Sequence, residues 1–336
     1  MKFILLKISG FIFSFILPVF LLAQHSAFTT DGYESYMPEV RQLNQFMATW
    51  HGLNITTQEG LAQARILWGP PGGKTILKPK DRFIDGEGGN IRIRIFKPDK
   101  IRAVVFDIHG GGFFAGMPES ADSLNDTRAR YCSVAIVSID YRLAPENPFG
   151  AEVEDCDSVA VWLVQNAKNE FGTDKLILSG SSAGANLAAL TLLDIRDKMH
   201  GINRVIGINF FYGLFDLSKT PSATMADAHT LILDSSIINQ MVRIVFKGKS
   251  TEELRSAYYS PLYADLKGLP PAFFSVGTID PLIDDNTFMA NRWEAAGNQT
   301  TLYVYPDCPH AFNLFPTQIA KLANQRVNDW INGLLK

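Results

Sequence analysis

The sequence predicts an α/β fold: a mostly parallel central sheet flanked by helices, with a helical cap. Three observations predict it. From residue 103 onward, short β-branched runs alternate with longer helical patterns, as successive β-α-β units do. Two glycine-rich turns, at 109–112 and 180–184, each close an apolar run. Two segments, from about 25–70 and at 214–256, break the alternation with helical patterns of their own.

Taken in order, residues 1–24 have the layout of a secretory signal peptide. Lys2 and Lys7 form a short basic start, residues 8–23 are almost wholly apolar, and the chain turns polar at Gln24. The alternative is an uncleaved N-terminal membrane anchor, for which the apolar run is short. The remaining 25–336 then form one domain of an exported protein, periplasmic or secreted, with no stable membrane insertion after cleavage. Helical patterns at 39–50 and 57–67 come first. Residues 86–90 read as a hairpin turn and not a phosphate loop, because no helix follows. Residues 91–96 alternate strictly, like an antiparallel strand with one wet face near a sheet edge. Strands at 103–108, 134–139, 176–178, 205–211, 272–276 and 302–305 then interleave with helices at 153–171, 185–199, 286–296 and 318–335. A helical pattern at 235–246 occupies the second insertion, which either forms a lid or covers a sheet edge.

Composition narrows the function classes. With 336 residues, 46% hydrophobic and 19% charged, the chain has ample material for a large core. The formal net charge of −3 becomes about −5 if Lys2 and Lys7 leave with the signal peptide, so no nucleic acid or anionic membrane is expected as a partner. Cys132, Cys156 and Cys308 are an odd set without metal-ligand spacing. They read as buried apolar residues, and nothing in their spacing argues for a disulfide.

The chemistry gathers at Gly180-Ser181-Ser182-Ala183-Gly184, which follows the apolar run 176–178 and opens into a helical pattern. In such a strand-turn-helix elbow the central serine is pushed out on a strained bend, so Ser182 is the candidate nucleophile. By chance the pentapeptide occurs in roughly one chain in ten of this length, so it needs support. His109-Gly110-Gly111-Gly112 supplies it, at a chance frequency roughly two orders of magnitude lower. Together the loops offer an oxyanion hole from the backbone amides of Gly111, Gly112 and Ala183.

A serine needs a base, and the base needs an anion to fix its tautomer. On such an elbow the partners follow in the order Ser, Asp or Glu, His. Asp280 lies just after the strand at 272–276 and His310 just after that at 302–305. Asp284, one helical turn further on, is the rival acid, and Asp307 a more distant one. His109 is expected to shape its loop and not to move protons. His25, His51, His200 and His229 lie in poorer places. The serine mechanism is complete without a metal or organic cofactor, and none is expected.

These motifs resemble those of the hormone-sensitive-lipase-like esterases of the α/β-hydrolase fold, over roughly residues 75–335. The resemblance rests on the histidine-glycine loop continued through Phe113-Phe114-Ala115-Gly116, on Asp140-Tyr141-Arg142-Leu143-Ala144-Pro145-Glu146, on the serine elbow, and on Asp280-Pro281-Leu282 with His310-Ala311-Phe312. It implies that 140–146 is a loop bracing the site and that the N-terminal residues and 214–256 form the cap. Ser181 stands where the family commonly has an acid, Ala185 where it has glycine, and Ala311 where glycine is frequent; none of these removes a reacting group. The implied activity is hydrolysis of short- to medium-chain carboxylic esters, with a small-molecule ester as partner. Phe113, Phe114, Tyr212, Leu214 and Phe215 are the expected lining of an apolar acyl pocket. An amidase or acyltransferase using the same residues, or a non-catalytic small-molecule receptor, are the alternatives.

Overall fold

The structure is a computed structural model that describes residues 32–50, 52–69 and 73–336. The signal peptide expected at 1–24 lies outside the described residues. After helices α1 (Met37–Met47) and α2 (Gln58–Leu67) the chain enters the hairpin β1 (Lys80–Gly86) and β2 (Gly89–Phe96). Gly86 pairs with Gly89 across the two-residue turn. Strand β3 (Val104–Ile108), helix α3 (Asp122–Cys132), strand β4 (Ala135–Asp140) and helix α4 (Ala151–Phe171) follow. Next come β5 (Leu176–Ser181), α5 (Ala183–Asp197) and β6 (Val205–Phe211). Three short helices, α6 (Pro221–Met225), α7 (Ser235–Val245) and α8 (Thr251–Leu254), then interrupt the sheet. The chain closes with β7 (Ala272–Gly277), α9 (Ile283–Ala295), β8 (Thr300–Tyr305) and α10 (Gln318–Leu334).

The eight strands form one sheet in the order β1-β2-β4-β3-β5-β6-β7-β8. Only β2 runs against its neighbours; every pairing from β4 to β8 is parallel. Parallel strands need helical crossovers that cover both faces, which is why β3 and β7 are buried along their whole length. Along β3 the side chains alternate: Val104, Phe106 and Ile108 join the core with α4, α5 and α9, while Val105 faces the core with α3 and α10. The edge strand β1 buries only Ile84 and presents Lys80, Asp81 and Arg82 to solvent. Charges of this kind discourage pairing with another sheet.

Besides the short α6 and α8 of the insertion, two elements escape the sequence pattern. Helix α3 buries Asn125, Asp126 and Arg128, so its inward face is polar and shows no apolar period. Strand β1 has a single buried residue and no alternation to read. The strand expected at 176–178 runs on to Ser181, and the helix expected from 286 begins at Ile283. All three cysteines are buried free thiols. Among the described residues, no helix is long and apolar enough to cross a membrane.

Candidate active site

The chain topology opens a crevice at one end of the sheet. After β4 the chain crosses over β3 to place β5 on its other side, and loops leaving the carboxyl ends of β3 and β5 diverge there. Ser182 sits in the turn between β5 and α5 with φ 53° and ψ −123°, a strained backbone for any residue other than glycine. The strain is held by backbone bonds on both sides. The Ser182 amide donates to Phe211 O at 2.9 Å, and its carbonyl accepts from Ala185 at 3.0 Å and Leu214 at 3.2 Å. Gly184 is required by close approach, since a Cβ there would run into the carbonyl oxygens of Ile108 and His109.

Around this serine the loops after β7 and β8 converge. Ser182 Oγ lies 2.9 Å from His310 Nε2, and His310 Nδ1 lies 2.9 Å and 3.1 Å from the two oxygens of Asp280. Asp280 is 1% exposed and also accepts the Leu282 amide at 2.9 Å. With a carboxylate as its neighbour, Nδ1 carries the hydrogen, and the Nε2 lone pair is left to accept from the serine hydroxyl. Asp284 points elsewhere: it accepts the Ser222 amide at 2.8 Å. Asp307 meets Thr278 through its own backbone amide. The Tyr212 ring packs edge-on against His310 with centroids 4.7 Å apart, and its hydroxyl bonds Asn313.

The loop after β3 faces the serine from the other side. Gly111 and Gly112 have φ of 118° and 60°, a conformation that leaves their amides free of the sheet. Among the described residues nothing accepts a hydrogen bond from the amides of Gly111, Gly112 or Ala183. His109 Nδ1 donates to Gly110 O at 2.7 Å, and its ring stacks on Tyr141 at 4.1 Å. Tyr141 in turn donates its hydroxyl to His109 O at 2.9 Å. Burial lowers the His109 pKa below the ordinary value, so the ring stays neutral.

A residue that sequence reasoning missed ties these loops together. Arg65 on α2 donates to Phe114 O at 2.8 Å and Ala144 O at 3.0 Å, and grips the Glu146 carboxylate at 2.8 and 2.7 Å. A lone arginine on an amphipathic helix carries no sequence signal for such a role.

A cavity of about 740 Å³ opens over Ser182 and His310. Phe114, Tyr212 and Leu214 line it, but the expected Phe113 and Phe215 do not. Phe113 has φ 66°, and its ring turns away to pack edge-on against Phe149 and Phe246. Phe215 packs against Phe210 and Phe274 in the layer beneath. Their places in the wall go to Ile237, Ile238 and Met241 of α7, with Leu217 and Trp68. Among the described residues no group of three or more His, Cys, Asp or Glu side chains gathers to hold a metal.

Residues 105–314 match the protein family described as alpha/beta hydrolase fold, and the chain belongs to that family. Over 288 residues it is 30% identical to the carboxylesterase NlhH of Mycobacterium tuberculosis, covering 82% of this chain and 89% of that protein. It is similar in structure to an esterase of Pyrobaculum calidifontis, with a TM-score of 0.77 and 30% identity over 88% of this chain and 98% of the other. A hormone-sensitive lipase from a metagenome library aligns with a TM-score of 0.74 and 27% identity, over 88% and 98% of the two chains.

Proposed function

We propose that this chain is a serine carboxylesterase that hydrolyses short- to medium-chain carboxylic esters through an acyl-enzyme intermediate. The observation that carries the reading is the continuous hydrogen-bonded relay from Ser182 through His310 to Asp280, set below free backbone amides. Ser182 attacks the ester carbonyl, His310 takes its proton and returns it to the leaving alcohol, and Asp280 holds the imidazole and supports its charge. Gly111, Gly112 and Ala183 donate to the oxyanion; one such donor is worth about 3 kcal/mol in the transition state. Water then repeats the attack on the acyl-enzyme. The large apolar cavity agrees with an acyl chain longer than acetyl. The named esterases above support the same chemistry.

In this reading the cap is formed by about residues 25–70 and 214–256, which contribute Trp50, Leu67, Ile237 and Met241 to the cavity wall. Residues 1–24 direct export as a cleaved signal peptide. The test is hydrolysis of a p-nitrophenyl ester series from acetate to palmitate by the purified protein and its Ser182→Ala variant. Activity that peaks on short or medium chains and vanishes in the variant is expected. Equal rates in both proteins would refute the mechanism.

A further inference from the structure

One carboxyl group in the cavity takes no part in the chemistry above. Asp107 stands on β3, two residues before the glycine loop, and lines the same cavity as Ser182 and His310. It is 8% exposed, on a strand whose other residues are all apolar. Its Oδ2 accepts two hydrogen bonds, from Asn125 Nδ2 at 2.9 Å and Ser138 Oγ at 3.0 Å. Its Oδ1 accepts none from the described residues. The side chain is thus clamped by one oxygen while the other keeps unused acceptor capacity beside the substrate space. A carboxylate placed in the wall of a largely apolar cavity is costly to desolvate, so an acceptor kept there can be matched by a donor that enters the cavity.

The charges nearby restrict what could fill that capacity. Arg128 on α3 is 4% exposed, donates to Asn328 at 3.2 Å, and feels the negative charge of Asp107. Lys219 and Lys321 line the cavity itself. Asp216 lines the cavity as well, but the Asp107 charge is already faced by that of buried Arg128, so a cationic group brought to Asp107 would meet like charge from Arg128. A neutral hydroxyl brings a donor without a charge.

We propose that Asp107 forms a subsite for a substrate hydroxyl, so that esters bearing a hydroxyl several bonds from the scissile carbonyl are preferred over their deoxy counterparts. The proposal rests on the carboxylesterase reading. A hydrogen bond to a buried carboxylate is worth about ten- to a hundredfold in discrimination. The experiment measures kcat/KM for two pairs that differ only in hydroxyl groups: glyceryl monobutyrate against propyl butyrate, and p-nitrophenyl 6-hydroxyhexanoate against the hexanoate. The butyrate ester of choline serves as the cationic comparison. At least one hydroxylated member should exceed its partner by about tenfold or more, the choline ester should show no such gain, and Asp107→Asn should bring the ratio towards one whatever its overall rate. If that variant does not fold, Leu124→Phe adds bulk to the cavity wall next to Asn125, the residue that clamps Asp107, and should lower the hydroxylated ester more than its partner. Ratios near one in both pairs, a preference that survives Asp107→Asn, or the choline ester as best substrate would overturn the subsite. Plain esters cleaved without hydroxyl preference remove the subsite alone, whereas no cleavage of any ester removes the esterase reading and the subsite with it.

Discussion

Glu152 makes the stability of this protein depend on pH in an unusual direction. It is the second residue of α4, fully buried, and neither carboxyl oxygen meets a hydrogen-bonding partner among the described residues. Burial pushes its pKa from the ordinary 4.5 up to about 8, against the pull of nearby amides and of Arg142. Below pH 4.5 both folded and unfolded chains hold the proton. Between 4.5 and 8 the unfolded chain releases it while the folded one keeps it, so the unfolded state binds fewer protons and stability falls as pH rises. The slope is about 1.4 kcal/mol per pH unit, and the whole window amounts to something on the order of 5 kcal/mol. Glu152→Gln keeps the shape without the ionisation. Relative to the parent it should be near neutral at pH 5 and more stable by several kcal/mol at pH 9, about 2 °C of melting temperature per kcal/mol. Asp157 and Asp285, raised to about 8 and about 7, act in the same direction but cancel in the comparison. Thermal unfolding of both proteins at the two pH values is the assay. A difference between them that does not change with pH would refute the reasoning.

Three further outcomes are expected. Asp280→Asn should lower kcat by about four orders of magnitude, because an amide fails to hold the required imidazole tautomer, while Asp284→Asn should change it by only a few fold; steady-state kinetics of the pair identifies the acid. Gly184→Ala should cost about 1–3 kcal/mol or prevent folding, since the added Cβ meets the backbone oxygens of Ile108 and His109. Urea unfolding or loss of soluble protein reads this out. Exhaustive chelation should leave kcat/KM unchanged, because nucleophile, base and oxyanion donors are all supplied by the chain; a loss restored by added metal would contradict the mechanism.

Much of the candidate site was legible because it is built on residues that announce themselves. A serine between glycines after an apolar run, and a histidine before three glycines, mark backbone that must bend sharply and pass close to other backbone. Ser182 at φ 53° and Gly111 at 118° are such places. Side-chain direction was less legible. Phe113 adjoins the glycine loop in sequence, yet its positive φ sends the ring away from the cavity, and no local pattern encodes that turn. Helix α3 was hidden for a related reason: Asn125, Asp126 and Arg128 face inward to partners on β3, α10 and the loop before β1, so tertiary hydrogen bonds replace the apolar stripe.

The loop after β6 shows how Asp280 and the cavity wall come to share one support. Asp285 accepts the amides of Phe215 and Asp216 at 2.7 and 2.8 Å and the hydroxyl of Thr220 at 2.7 Å. Asn286 beside it accepts the Gly213 amide at 2.9 Å and donates back to the Gly213 carbonyl at 3.0 Å. Both residues lie in the first turn of α9, directly after the Asp280 loop. The wall residues Leu214 and Leu217 are therefore fixed to the same helix that begins just after Asp280. Asp280 and this part of the cavity wall are thereby braced against one helix. Because these bonds are buried and made by short side chains, they position the loop with little rotamer freedom. That economy explains why a carboxyl with no cation partner among the described residues stands inside the core at Asp285: its three donors come from the loop it must hold.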